Sequence, residues 1–373
     1  MVRIAIEASS LARPHRSGVA VYGANLIRGL AALDRESQYF LCYRLSRLKN
    51  RRFFFRVNAD NFRDKIIQEP WNRLFMNRVD LYHGLDARVY AGGRAKKIMT
   101  VHDVLHYTDA FPVRPHPEAR VRRFREMLAV SDRVIAVSES TRTEILRCFP
   151  VAPDRIRVVR LGVEERFRPR EPAAIDPVLG RYGIRKPYLL YLGCLETRKN
   201  LVRLLEAFSL VRREHGRSSL SLVLAGEQGE GGGDVLRAID RFRIGDRVKL
   251  TGYVREGDLA AMYSGAEVFV YPSLYEGFGL PVLEAMACGT PVVSSHATSL
   301  PEVAGEAAIL VDPCRVESIA EAVSRFLGDP GLREEYRERG RRRAGTFRWE
   351  KTARETLGVY REMLGGRGGD LGL

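Results

Sequence analysis

Cysteine is scarce in this 373-residue chain. The five residues Cys42, Cys148, Cys194, Cys288 and Cys314 are odd in number, scattered and never spaced C-x-x-C, so neither a disulfide framework nor a cysteine zinc site is indicated, and a reducing compartment fits. Long apolar runs are missing as well. Nothing approaches the length needed to cross a bilayer, and the opening MVRIAIEASS starts directly as a strand with no leader-like apolar core, so a cytoplasmic protein is expected. No D-x-D occurs, and no cluster of His, Cys or carboxylates has metal-ligand spacing, which disfavours a metal site. The first strand–loop–helix unit has no G-x-G-x-x-G, so a dinucleotide-binding dehydrogenase is poorly supported.

Positive charge, in contrast, is abundant and uneven. The net formal charge is +15, with 61 Lys and Arg against 46 Asp and Glu. Residues 1–160 hold 30 cationic and 16 anionic side chains, whereas residues 161–373 hold 31 and 30. The densest stretches are Arg44 to Arg56 (RLSRLKNRRFFFR) and Arg120 to Arg125 (RVRRFR). A basic, partly aromatic surface of this kind suits an anionic partner, including an anionic membrane surface. No recognised nucleic-acid module accompanies it, so nucleic acid is not expected.

With 45% hydrophobic residues the chain is long enough for two domains with their own cores. Short apolar runs recur between helical or irregular stretches: Val2–Ala8, Tyr39–Tyr43, Val79–His83, Lys97–Val101, Val134–Val137 and Ile156–Val159 in the first half. The second half has Tyr188–Leu192, Leu220–Ala225, Val248–Thr251, Val268–Tyr271, Val292–Ser294 and Ile309–Val311. This alternation predicts two parallel sheets covered by helices. The boundaries expected are a first domain over 1–165, a proline-containing linker over 166–186, a second domain over 187–347, and a final helix over about 348–364. The glycine-rich tail GGRGGDLGL reads as mobile.

In such sheets ligands bind beyond the carboxyl ends of strands. The best-defined such place is Tyr271 to Pro291, YPSLYEGFGLPVLEAMACGTP. A buried strand leads into a loop holding Phe278 and Gly279, then a helix with Pro281 in its first turn and Gly289 after its end. Backbone N–H groups around Gly279 and Leu280, with the positive end of the helix dipole, suit a phosphate. Glu276 and Glu284, separated by seven residues, frame the loop. A carboxylate at Glu284 can accept two hydrogen bonds from a sugar diol, although either glutamate also fits a plain turn or surface position.

Three further groups sit at strand ends. Gly18, in SGVAVYGANL after the first strand, lets backbone approach a ligand. His102 and Asp103, in TVHDVLH, can serve a sugar hydroxyl or a proton transfer. Arg198 and Lys199 precede a helix for which Asn200 is a fair N-cap, and add two cations to an anion site. Ser138 to Thr141 reads as a helix start, with Thr141 and Glu144 forming a capping box. His83-Gly84 is another polar cluster at a strand end.

The string E-G-F-G-L-P-V-L-E-A-M-A-C-G-T-P-V, with the HD and R-K-N elements, resembles the family-4 retaining glycosyltransferases of the GT-B architecture, and the likeness covers essentially the whole chain. The resemblance implies an α/β fold of two facing Rossmann-like, doubly wound parallel-sheet domains with a cleft between them, and a last helix that crosses back onto the first. It implies that Arg198 and Lys199 hold the donor diphosphate, that Glu284 holds the ribose, and that Gly18, Phe278, Gly279 and Leu280 help bind the donor. Glu276, His102 and Asp103 would serve catalysis at the sugar. Where the family often has another polar residue at the start of the R-K-N loop, this chain has Cys194.

The expected activity is then metal-independent transfer, with retained anomeric configuration, from a nucleoside-diphosphate sugar such as GDP-mannose, or a UDP-sugar. The acceptor expected is a cell-envelope glycan, glycolipid or lipid-linked sugar. No cofactor beyond that donor is expected, and the protein would be cytoplasmic or peripheral at the inner membrane face. Alternatives are a nucleotide-sugar epimerase or a phosphorylase of the same architecture, a non-catalytic nucleotide-sugar or nucleic-acid binder, and a membrane scaffold.

Overall fold

The computed structural model describes residues 1–13, 17–68, 72–90, 92–108, 117–214 and 219–365; the tail from Gly366 onward, expected to be mobile, lies outside them. The chain divides into two compact units, residues 1–162 with 348–373 and residues 163–347. Each is a parallel sheet covered by helices.

The first unit carries β1 (Arg3–Glu7), β2 (Gln38–Arg44), β3 (Phe62–Ile67), β4 (Leu81–Gly84), β5 (Lys96–Val101), β6 (Arg133–Ala136) and β7 (Ile156–Val158) in the order β3-β2-β1-β4-β5-β6-β7. The second carries β8 (Tyr188–Leu192), β9 (Ser221–Ala225), β10 (Val248–Gly252), β11 (Val268–Tyr271), β12 (Val292–Ser295) and β13 (Ile309–Val311) in the order β10-β9-β8-β11-β12-β13. Central strands such as β4 and β11 are buried at every residue, because helices cover both faces of a parallel sheet and leave no polar side. β3 was not expected. Its FRDKII sequence exposes Arg63, Asp64 and Lys65, and such charges belong to an edge strand, which they protect from unwanted pairing.

Both sheets reverse strand order once, between β1 and β4 and between β8 and β11. Loops leaving the two central strands part there, which opens a crevice at their carboxyl ends. Arg198 and Lys199 follow β8, and Glu276 follows β11, so the second switch point is framed by these three side chains.

The last helix, Trp349–Met363, packs on the helix Gly18–Leu33 of the first unit. A Cβ added at Gly29 would lie 2.4 Å from the Ala353 Cβ, so glycine is what lets the two helices approach. A buried polar chain ties the same helix to the sheet: Tyr360 Oη to His83 Nδ1 at 2.7 Å, His83 Nε2 to Thr100 Oγ1 at 2.7 Å, and Thr100 Oγ1 to Tyr22 Oη at 3.0 Å. Burial pushes the His83 imidazole down to about 3. The His83-Gly84 pair, read as a polar cluster at a strand end, is therefore a neutral structural element.

Two local expectations change. The stretch read as a linker contains a helix, Pro172–Tyr182, which buries Ile175 and Leu179 and packs on the helix Leu259–Ser264 of the second unit. Its prolines hid it: Pro172 occupies the first turn, where its missing N–H costs nothing, and Pro177 gives up one backbone bond inside. Arg181 and Tyr182 anchor it to Asp258 at 2.7 and 2.9 Å. The helix Glu139–Cys148 is capped by Ser138, whose Oγ accepts the Thr141 N–H at 3.0 Å, and not by Thr141. Ser138 comes straight after the strand and adopts the extended backbone a cap needs.

Candidate active site

The loop after β8 ends in a short 3-10 turn, Thr197–Lys199, closed by Asn200 in the left-handed conformation at φ 62°. Asparagine tolerates this geometry because its short amide can bond locally. Among the described residues its side-chain oxygen accepts from Arg203 Nη1 at 2.9 Å and from no helix N–H. The side chain is buried and donates to the carbonyls of Pro272 at 3.1 Å and Pro313 at 2.6 Å. That strap fixes Arg198 and Lys199 against the loop that leaves β11.

Glu276 lies on that second loop, 8% exposed. Lys199 Nζ donates to its Oε1 at 2.5 Å and Arg198 Nη1 to its Oε2 at 3.1 Å. Lys199 Nζ also reaches Tyr271 Oη at 2.6 Å, and Arg198 Nε donates to Glu196 Oε2 at 2.8 Å. Burial alone would raise the Glu276 carboxyl, but the Lys199 ammonium and Arg198 guanidinium overcome it and hold it down at about 2. The glutamate is thus a fixed anion clamped by two cations.

The backbone of this loop is held from beneath. Ser299 Oγ is placed 3.0 Å from the Glu276 carbonyl and 2.8 Å from that of Phe278, and Thr298 Oγ1 accepts the Glu276 N–H at 3.0 Å. Thr298 has φ 52°, an uncommon conformation for a β-branched residue and a form of stored strain. Gly279, at φ 115°, caps the helix Leu280–Ala287, and a Cβ there would also strike Leu300 at 2.7 Å. Among the described residues the Gly279 and Leu280 N–H groups find no protein acceptor, and Phe278 is buried against Phe347. The result is a helix N-terminus with open donors on the same loop as Glu276, to which Arg198 and Lys199 are clamped from the loop after β8.

Glu284 projects from the second turn of that helix and accepts a hydrogen bond from Tyr263 Oη at 2.8 Å. Burial pushes its carboxyl up to about 7, against the Tyr263 bond and the charge of Arg166. Arg166 itself is shared by Glu164 at 2.8 Å and Glu256 at 3.2 Å. Glu284 is therefore an acceptor short of donors, which a sugar diol would supply.

In the first unit His102 leaves β5 and its Nε2 lies 2.8 Å from the Leu85 carbonyl. A carbonyl only accepts, so Nε2 carries the proton. Burial, partly offset by Asp86, lowers the imidazole below its ordinary value, and the neutral ring keeps its Nδ1 lone pair. Tyr22 meets the ring edge-on at 4.9 Å. Asp103 Oδ1 accepts the Leu105 N–H at 3.1 Å, which makes it a turn-forming residue here. Gly18 begins the helix capped by Ser17 and has no positive φ, and a Cβ on it would meet no protein atom within 4 Å.

The structure thus brings Arg198, Lys199 and Glu276 together and sets Gly279, Leu280 and Glu284 on one loop and helix. Tyr271, Tyr263, Glu196, Thr298 and Ser299 belong to the same site and were not singled out from the sequence. The tyrosines look like ordinary core residues in a strand and a helix, and the Thr298-Ser299 pair carries no local signature. Among the described residues no group of three or more His, Cys, Asp or Glu could hold a metal ion.

Residues 181–343 match the family described as Glycosyl transferases group 1, and residues 16–167 match Glycosyltransferase Family 4. O-antigen chain mannosyltransferase B of Escherichia coli is 37% identical over 287 residues, 75% of this chain and 74% of that protein. MMP alpha-(1->4)-mannosyltransferase of Mycolicibacterium hassiacum is 35% identical over 256 residues, 65% of this chain and 59% of that protein. Among solved structures, sucrose-phosphate synthase from Thermosynechococcus elongatus aligns over 98% of this chain and 100% of its own, with a TM-score of 0.78 at 23% identity. Anabaena Alr3699/HepE in complex with UDP and glucose aligns over 97% and 100%, with a TM-score of 0.77 at 15% identity. At these identities the structures speak to the fold.

Proposed function

We propose, for a chain that belongs to the group 1, family-4 glycosyl transferases and is a hexosyltransferase of GT-B fold, that it moves a mannosyl residue from GDP-mannose to a cell-envelope glycan acceptor with retained anomeric configuration. The observation that carries the reading is the clamp of Arg198 and Lys199 on Glu276, whose loop runs into the helix start that presents the Gly279 and Leu280 N–H groups. Departure of a nucleoside diphosphate builds negative charge on the leaving oxygen, and preorganised donors aimed at that charge are usually the largest catalytic contribution. Here protein cations supply it. The names of the relatives, a mannosyltransferase acting on an O-antigen chain among them, favour mannose and an envelope glycan.

In this mechanism Glu276 holds Lys199 and Arg198 at the diphosphate and accepts from a donor-sugar hydroxyl, and Glu284 accepts from the ribose. The acceptor hydroxyl attacks the anomeric carbon on the face the diphosphate leaves, and the departing phosphate oxygen takes its proton. No side chain need act as nucleophile. His102, with its proton on Nε2, serves a sugar hydroxyl through Nδ1 as an acceptor, and Asp103 shapes the turn that presents it.

The test is the product of GDP-mannose turnover, read by NMR at the anomeric position. An α-linked product supports the proposal. A β-linked product overturns retention, and turnover of a UDP-sugar with none of GDP-mannose overturns the donor assignment.

A further inference from the structure

The first unit contains a pocket of about 360 Å³ that the donor chemistry leaves unused. It lies at the carboxyl ends of three strands. Arg44 ends β2, Ile67 ends β3, Arg88 and Val89 follow β4, and Arg123 and Met127 project from the helix Glu118–Val130. The volume falls within the range of small-molecule sites, roughly 300–1,000 Å³, and exceeds what a bare inorganic ion fills.

Its charge is under-compensated. Among the described residues neither Arg88 nor Arg123 has an ion-pair partner, and Arg44 has one long contact, Nε to Glu7 Oε1 at 3.6 Å. Both of those atoms are buried with no hydrogen bond. Arg47 stands nearby, and burial followed by the charges of Arg13, Arg44 and Arg88 holds its guanidinium below its ordinary value. Among the described residues, Glu7 feels the charges of Arg44 and Arg88, with Asp86 close to it. Several arginines drawn from separate elements around one cavity repel one another unless an anion joins them, and the planar guanidinium fork fits phosphate oxygens two at a time.

We propose that this pocket is an acceptor subsite that holds a phosphate ester, with Arg44, Arg88 and Arg123 on the phosphate and Ile67, Val89 and Met127 against the group it is attached to. Its meaning as an acceptor subsite rests on the transferase reading above. The phosphate belongs either to a soluble sugar phosphate or to a lipid-linked one. In the second case Leu45 at the pocket rim and nearby Leu48, which are 45% and 43% exposed, sit where a lipid surface would lie.

The experiment uses the whole chain. Binding of mannose 1-phosphate is measured by calorimetry, and co-sedimentation is measured with phosphatidylcholine vesicles with and without a polyprenyl pyrophosphate. The paired replacement Arg88→Ala with Arg123→Ala is expected to weaken the responding probe at least tenfold. Arg125→Ala, on the same helix but outside the pocket, should change it less than twofold. A response to mannose 1-phosphate supports the site with a soluble ligand, and a response to the pyrophosphate vesicles alone supports it with a lipid-linked one. No response to either probe, or equal losses in the paired and Arg125 variants, overturns it. Stabilisation by GDP is followed in the same samples. Its retention in the paired variant shows an intact second unit, and its absence in every sample counts against the transferase reading while leaving the phosphate result to be judged alone.

Discussion

Glu276→Gln is expected to lower stability by roughly 3–5 kcal/mol, the usual cost of removing one partner from a buried ion pair. It is also expected to cut transfer on the order of 10²–10³-fold, as for loss of a preorganised charge-stabilising group. The reason is geometric. Lys199 is 5% exposed, and its ammonium has Glu276 at 2.5 Å and the Tyr271 hydroxyl at 2.6 Å, so a neutral amide leaves a buried cation without its anion. Pairing the change with Lys199→Met should return much of the stability and none of the activity, which separates folding from chemistry. The pH dependence has a definite sign. The folded carboxyl sits at about 2, below its unfolded value of about 4.3, so its stabilisation is fully present above about pH 5 and is lost as pH falls towards 2. The gap in thermal midpoint between wild type and Glu276→Gln should therefore narrow over that window. An unchanged midpoint at pH 7, with transfer within threefold of wild type, would contradict the assignment.

Glu284 behaves in the opposite sense. Its folded carboxyl is pushed up to about 7 by burial, so ionising it works against the folded state. The wild type should lose stability as pH rises from about 4.5 to 7 and then level off. Glu284→Gln removes that penalty and should stabilise the unliganded protein by up to about 3 kcal/mol at pH 8 while changing little at pH 4. The same substitution should weaken binding of the nucleoside diphosphate about 10- to 100-fold, since a hydrogen bond to a charged acceptor is worth about 1.5–3 kcal/mol. Stability gained with affinity lost marks a residue kept for its ligand. Wild-type affinity relative to the variant should grow from pH 6 to pH 8. Melting curves at the two pH values and a titration of each protein check both halves, and equal affinities at pH 8 would remove Glu284 from the ribose.

Much of the fold was legible because buried parallel strands are short, continuous and apolar, and each of the expected runs coincides with a strand. The edge strand β3 escaped because its charges serve to discourage pairing, and the helix Pro172–Tyr182 escaped because prolines at its start and middle read as a break. The loop-to-helix stretch from Tyr271 to Pro291 was legible for a different reason: Gly279 and Pro281 are dictated by local backbone geometry, which leaves a trace in sequence. The clamp between Lys199 and Glu276 left none, since it joins two loops brought side by side by the order of β8 and β11. Likewise Asn200 read as a cap from its neighbours, while the carbonyls its amide donates to, those of Pro272 and Pro313, are distant in the chain. The proton on His102 Nε2 is set by the Leu85 carbonyl, a backbone atom that no residue pattern marks.

The most direct test is a thermal-shift comparison of GDP, UDP, ADP and dTDP on protein stripped of divalent cations with EDTA. A ligand present at about a hundredfold above its Kd stabilises the folded state by about 2.7 kcal/mol, a shift of several degrees. GDP is expected to give that shift in EDTA, with Glu284→Gln losing most of it, because Arg198, Lys199 and the Gly279 and Leu280 N–H groups supply the charge that meets the diphosphate. No shift with any of the four nucleotides, or one that appears only when magnesium is restored, would contradict it.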